Sequence, residues 1–374
     1  MQIEAIRLYN FRSYGELPLQ VVPGLNVLLG ENAAGKTNIL EALFLCALGR
    51  SHRTRHDAEL IRAGEQDALV KLKLQKNTGA HEIELRLHKD RPREWKIDGK
   101  PLSRSGELLG CLHVVMFAPE DLKLVKQGPG ERRRFLDMEL SQMDPPYYYA
   151  LQQYNAALRQ RNALLKAKGA PTNLFVPWER HIASLGARLL LRRAGFVNEL
   201  REIAAGLHAE LSGAKEQLHI AYMPAVAIEE EAAMESALLN ALEASRERDI
   251  LRGSTSVGPH RDDLNIMLNG VDVRAYGSQG QQRTAALALK LSELYLLRRQ
   301  ERELPVLLLD DVLSELDENR QRYLVKSIQG CQTFITCTEL QGLKHAGAAN
   351  LNVYHVGGGA VKPQESGNTQ EDGI

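Results

Sequence analysis

Residues Gly30-Glu31-Asn32-Ala33-Ala34-Gly35-Lys36-Thr37 have the spacing G-x-x-x-x-G-K-T. Its glycines let the main chain wrap tightly so that several N–H groups face one anion, and a lysine and a hydroxyl follow. Lys36 would neutralise β- and γ-phosphates and Thr37 would ligate Mg²⁺. All eight residues are therefore candidate ATP contacts, with Lys36 also a catalytic candidate. Far along the chain, Val306-Leu307-Leu308-Leu309 runs into Asp310-Asp311. Adjacent acids after a buried strand could simply cap a helix. Joined to the loop, they form a Walker-type pair, with Asp310 on the Mg²⁺ side and Asp311 polarising the attacking water.

Three further groups have chemistry to offer. Tyr276-Gly277-Ser278-Gln279-Gly280-Gln281-Gln282-Arg283 puts small and amide residues at the start of a helical stretch, where N–H groups and a hydroxyl face an anion. Alone it reads as an N-cap. His260-Arg261-Asp262-Asp263 gathers an imidazole and two carboxylates. Adjacent positions at a strand entry point in different directions, which favours a hydrogen-bonded corner over a metal site. Arg50, Arg53 and Arg55 form one basic cluster and Arg132, Arg133 and Arg134 another. Either is a solvated face or a DNA contact that neutralises several phosphates. Neither carries spaced aromatics, so sequence-independent duplex or junction binding is the form expected.

These residues need elements to hold them. Apolar residues alternate over 3–8 and cluster over 25–29, predicting strands, and a helix follows at 38–48. Alternation returns over 68–97 and ends in the turn Asp98-Gly99, predicting antiparallel sheet. From 147 to 211 apolar residues recur three and four apart with a break at 169–173, and 228–248 continues that texture. A packed subdomain and a projecting coiled coil are both open for this insert. A strand is expected at 264–268, a helix at 278–301, a buried strand at 305–309, a helix at 314–328 and a short strand at 333–336. The expected organisation is an α/β head made of 1–121 plus 250–356, an inserted helical lobe at 122–249, and a disordered tail at 357–374.

Composition narrows the classes. The 374 residues carry 47 Lys+Arg against 47 Asp+Glu, so a generally basic DNA-coating protein is excluded and any DNA contact is a local patch. Only 5% are aromatic, which argues against an all-β sandwich. Cys46, Cys111, Cys331 and Cys337 stand in apolar surroundings without CxxC spacing and read as buried thiols. With no apolar run of membrane-spanning length and no signal-like start, a soluble cytoplasmic protein is expected.

The order phosphate loop, Ser-x-Gly-Gln signature, Asp-Asp strand and Ser314-Glu315-Leu316-Asp317 resembles ABC-type ATPases of the SMC and double-strand-break-repair branch. Asn10-Phe11-Arg12-Ser13-Tyr14, Ser51-His52-Arg53, Ala118-Pro119-Glu120-Asp121, Glu131 to Asp137 and Gly258 to Leu264 narrow the resemblance to the RecF family of bacterial recombination mediators. That resemblance implies a P-loop ATPase head with mixed sheet and an inserted helical lobe. It implies ATP and Mg²⁺, Arg12 among the nucleotide contacts, and Ser278, Gly280 and Gln281 closing in trans on the ATP of a second copy. It also implies a weak, DNA-stimulated ATPase and an ATP-gated homodimeric clamp on gapped or junction DNA, acting with RecR and RecO to load RecA. Two positions depart from the broader ABC pattern: Gln279 stands where a glycine is usual, and Asp311 where the catalytic glutamate is usual, so slow hydrolysis is expected. No histidine follows Phe334-Ile335-Thr336-Cys337-Thr338, leaving Thr336 or Thr338 as candidates for sensing the γ-phosphate. The rival readings are an ABC-type subunit driving a membrane or other non-DNA partner, disfavoured by the helical insert and arginine clusters, and a small-molecule kinase, which would have no use for the signature.

Overall fold

Leu25–Leu29 is a short buried strand with parallel neighbours on both sides, Thr333–Cys337 and Leu351–Gly357. Beyond Thr333–Cys337 the same sheet continues with Val306–Asp310 and then Val114–Phe117, again parallel. Continuous Val and Leu over 306–309 suit a strand covered on both faces. The computed structural model describes residues 1–167, 169–300 and 303–364.

A second six-stranded sheet is antiparallel and runs in the order Tyr14–Gln20, Gln2–Phe11, Asp67–Lys76, Gly79–His88, Glu94–Ile97, Lys100–Pro101. Its alternation buries Ile6, Leu8, Val70, Leu72, Leu85 and Leu87 on one face and leaves Arg7, Tyr9 and Lys73 outside. The helix Lys36–Leu48 contacts strands of both sheets, and ten of its thirteen residues are buried. A helix that is apolar on nearly every face beyond its first turn suits that central position. These elements belong to one compact unit, Met1–Pro119 with the described part of Glu301–Ile374.

The second compact unit is Glu120–Gln300. At its centre lies Val176–Ser212, a 37-residue helix that packs on Pro145–Lys166, Glu231–Arg252, Gln279–Gln300 and the strand Leu218–Met223. Burial of Ile182, Leu189, Val197 and Leu207 along its length makes this a packed subdomain. The expected return to the head at residue 250 is corrected by the structure. Asp263–Leu268 pairs antiparallel with Leu218–Met223, and the helix Gln279–Gln300 packs along Val176–Ser212, so 250–300 cluster with the helices before them. Leu218–Met223 and Val114–Phe117 lack a sequence counterpart above, because short apolar runs carry little periodicity.

The expected disordered tail is corrected in part. Leu351–Gly357 and Ala360–Pro363 form a hairpin at the sheet edge, closed by Gly358 and Gly359, both at positive φ as a two-residue turn of that hand demands. The rest of that expectation, 365–374, lies outside the described residues. Of the cysteines, Cys46, Cys331 and Cys337 are buried and Cys111 is partly exposed. Among the described residues no helix is long and apolar enough to cross a membrane.

Candidate functional site

The phosphate loop leaves Leu25–Leu29 and enters Lys36–Leu48, so its N–H groups sit at a helix N-terminus. Gly30 is obligatory: a Cβ there would lie 2.3 Å from the Val356 carbonyl oxygen of the adjacent strand. Gly35, at φ +106, is obligatory for a second reason, since its Cβ would meet Ser13 Oγ at 2.8 Å and Tyr14 Oη at 2.9 Å. The Ser13-Tyr14 end of the 10–14 motif thus braces the loop, and Tyr14 Oη donates to the Gly35 carbonyl at 3.1 Å.

A cleft of about 370 Å³ opens on the loop and is lined by Asn32 to Asn38, Arg53, Asp310, Asp311 and Thr336. Lys36 is buried and donates to the carbonyls of Gly30 at 2.5 Å and Glu31 at 2.9 Å, which holds its ammonium across the loop. Thr37 Oγ1 donates to Asp310 Oδ1 at 2.8 Å, joining residues 273 positions apart. A hydroxyl and a carboxylate oxygen at that separation form a hard-oxygen donor set suited to Mg²⁺, which takes few protein ligands and otherwise keeps water and phosphate oxygens. Asp311 also lines the cleft, with a left-handed backbone at φ +50. Burial pushes the Cys337 thiol up to about 11, so the chemistry available beside Lys36 comes from oxygen and nitrogen groups, not from a thiolate.

Arg12 and Arg53 both reach Glu41 on the loop helix. Arg12 does not line the cleft; its Nε and Nη2 reach Glu41 Oε2 and Oε1 at 2.8 and 2.7 Å, and Nη1 donates to the Glu59 carbonyl at 2.7 Å. Arg53, expected on DNA, lines this cleft and donates through Nη1 to Asn38 Oδ1 at 3.0 Å. Glu41 ties both motifs to the loop helix. It accepts from Arg12 and from Ser51 Oγ at 2.5 Å, with Arg53 at 3.5 Å. Burial pushes its carboxyl up, but Arg12, Ser51 and Arg53 outweigh that and hold it below the usual carboxylate range. Sequence alone gives Glu41 little prominence: its signal is one acid, a turn after Thr37, on a helix that is apolar beyond its first turn.

Arg132 is corrected outright. It is buried, pairs through two nitrogens with Asp263 at 2.6 and 2.9 Å, and gives Nη1 to the Leu124 and Gln127 carbonyls. A guanidinium with its donors so used has little left for a phosphate. Arg133 is half-buried and donates to the Asp262 carbonyl at 2.6 Å, whereas Arg134 is exposed. In the first cluster Arg50 is half-buried and Arg55 exposed. The His260 block forms the expected corner. Asp262 accepts from Arg193 at 3.0 Å, from the Ala225 N–H at 2.9 Å and from Tyr222, while Asp263 turns to Arg132.

The signature opens the helix Gln279–Gln300, and Ser278, Gln279 and Gly280 are exposed. Ser278 and Gln281 bond reciprocally, and Gln281 Nε2 donates to Glu216 Oε1 at 2.8 Å. Gln281 is therefore engaged within its own chain, while the Ser278 hydroxyl proton is not used by these bonds.

Residues 2–362 match the family described as the RecF/RecN/SMC N terminal domain. The DNA replication and repair protein RecF of Lachnoclostridium phytofermentans is 45% identical over 365 residues, covering 97% of this chain and 99% of that protein. Its namesake from Alkaliphilus oremlandii is 44% identical over 365 residues, covering 96% and 100%. A solved structure of the recombination mediator RecF with ATP, from the RecFOR pathway, superposes with a TM-score of 0.89 at 36% identity, covering 97% of each chain.

Proposed function

The chain belongs to the RecF family, built on the RecF/RecN/SMC N-terminal domain, and from that premise we propose that it is an ATP-gated DNA-binding protein of DNA replication and repair. The observation that carries this reading is the Thr37–Asp310 contact in a cleft walled by residues Asn32 to Thr37 of the phosphate loop. Loop N–H groups and Lys36 bind the phosphates, Thr37 and Asp310 hold the metal side, and Arg53 adds a positive charge at the cleft wall. Bound Mg²⁺ supplies charge neutralisation on the phosphate oxygens. Asp311 orients the attacking water, and its shorter side chain suits a slow switch better than a fast turnover. Arg12 contributes by fixing Glu41 and the loop helix.

The exposed signature supports a homodimer in which Ser278 and Gly280 of one copy meet the ATP of the other, with Gln281 shaping that helix end. DNA, in gapped or junction form, would meet exposed positive charge such as Arg55 and Arg134 and would stimulate hydrolysis. By kinship with proteins of the RecFOR pathway, RecR and RecO are the expected partners, RecA loading the expected outcome, and the cytoplasm the expected compartment.

Binding of a gapped duplex to Asp311→Asn protein, with and without ATP·Mg²⁺ and with mass followed in parallel, tests the reading. ATP-dependent doubling of mass together with tighter DNA binding is expected. Nucleotide binding that changes neither mass nor DNA affinity would overturn the clamp.

A further inference from the structure

We propose that Thr336 is a positioning residue that sets both acids of the cleft at once, and this rests on the ATP·Mg²⁺ reading of the site. Thr336 lies in Thr333–Cys337, in register with Asp310 on the parallel neighbour Val306–Asp310. It is 2% exposed, and a buried hydroxyl requires partners. Its partners are the two acids. Oγ1 donates to Asp310 Oδ1 at 2.8 Å and accepts the Asp311 N–H at 2.9 Å.

The directions of these bonds are fixed by chemistry. An ionised carboxylate only accepts and a main-chain N–H only donates, so the single Thr336 proton goes to Asp310. Asp310 Oδ1 then receives Thr37 and Thr336 together, and two donors on one oxygen hold the carboxylate in one rotamer. Oδ2 takes part in neither bond. Asp311 sits in a left-handed conformation that L-residues seldom adopt, and the bond from its N–H to Thr336 anchors the backbone there. One hydroxyl thereby fixes the side chain of the metal-side acid and the main chain of the water-side acid. This is a different task from sensing the γ-phosphate.

Thr336→Val keeps the shape and removes the hydroxyl; Thr336→Ser keeps the hydroxyl. In the full-length chain, binding of a fluorescent ATP analogue is measured without Mg²⁺ and then against rising Mg²⁺. Expected without Mg²⁺ is equal affinity for all three proteins. With Mg²⁺, half-saturation for the valine protein moves to roughly tenfold higher metal, the loss of one hydrogen bond to a charged group, while serine stays within about twofold of the parent. Wild-type Mg²⁺ dependence in the valine protein, or an equal shift in valine and serine, would overturn the proposal. A parent protein that binds the analogue without any response to Mg²⁺ would instead overturn the metal reading of the cleft, and the proposal with it. Thr336→Ala is read in the same way if the valine protein does not fold.

Discussion

Gln281 closes on Ser278: its Oε1 accepts the Ser278 N–H at 2.7 Å, and the Gln281 N–H goes back to Ser278 Oγ at 3.2 Å. This is a capping box, in which two orphan N–H donors of a helix N-terminus are each satisfied by the other residue's side chain. The signature is therefore a stiff helix start whose amide is also held by Glu216. A preorganised end of this kind loses little entropy when a phosphate meets it.

Glu216→Ala should loosen that end without touching the cleft at the phosphate loop. ATP binding by the isolated protomer is expected to stay within about twofold, while ATP-dependent dimer formation weakens several-fold, on the order of the 1 kcal/mol carried by one hydrogen bond. Sedimentation with and without ATP·Mg²⁺ reads the second quantity, and unchanged dimer formation would remove Glu216 from the account.

Lys36→Ala removes an ammonium that bridges the Gly30 and Glu31 carbonyls. The fold should tolerate it, because Gly30 is half-buried and Glu31 exposed, within reach of water. ATP affinity should fall by roughly 10- to 100-fold, the range for a charged hydrogen bond, in an equilibrium titration. Retained affinity would mean that the loop N–H groups hold the phosphates by themselves.

The cleft was readable from sequence wherever the chemistry is local. The phosphate loop depends on eight consecutive residues and a strand-to-helix context, and Asp310-Asp311 on an apolar run that ends in charge. What sequence hid was partnership between distant residues. Arg132 and Arg55 look alike in a string, yet one faces Asp263 and the other faces water, because tertiary packing alone decides which guanidinium has a carboxylate within reach. Arg53 is a similar case, drawn to the cleft by Asn38 and Glu41 on the loop helix. The boundary at 250 failed because strand pairing to Leu218–Met223 leaves no trace in local periodicity.

The two arginines can be separated experimentally. Arg132→Ala leaves Asp263 without its ion pair and two carbonyls without a donor, so a loss of about 3 kcal/mol is expected in urea unfolding, the low end of the range because Asp263 keeps some contact with water. Arg55→Ala should leave stability unchanged. If Arg55 contacts a phosphate, it lowers the slope of log K for DNA against log salt by about 0.9, whereas an unaltered slope would assign it to the solvated surface.

His260 gives the second unit a pH dependence. Its Nε2 lies 3.0 Å from the Thr255 carbonyl, which can only accept, so Nε2 carries the proton and Nδ1 accepts the Tyr154 hydroxyl at 2.6 Å. Burial, with Arg261 and Arg133 adding to it against the opposing Thr255 bond, lowers the imidazole from 6.5 to about 4. The unfolded chain therefore takes up a proton near pH 6.5 that the folded chain refuses until about pH 4. Stability is full above pH 6.5, falls as pH drops through that window by about 3 kcal/mol, and levels off below it. Urea unfolding of the parent and of His260→Gln between pH 4 and 7 isolates this contribution, since glutamine can donate to Thr255 and accept from Tyr154 without titrating. The difference between the two proteins should change with pH across that window, and parallel curves would place the imidazole's pKa close to its ordinary value.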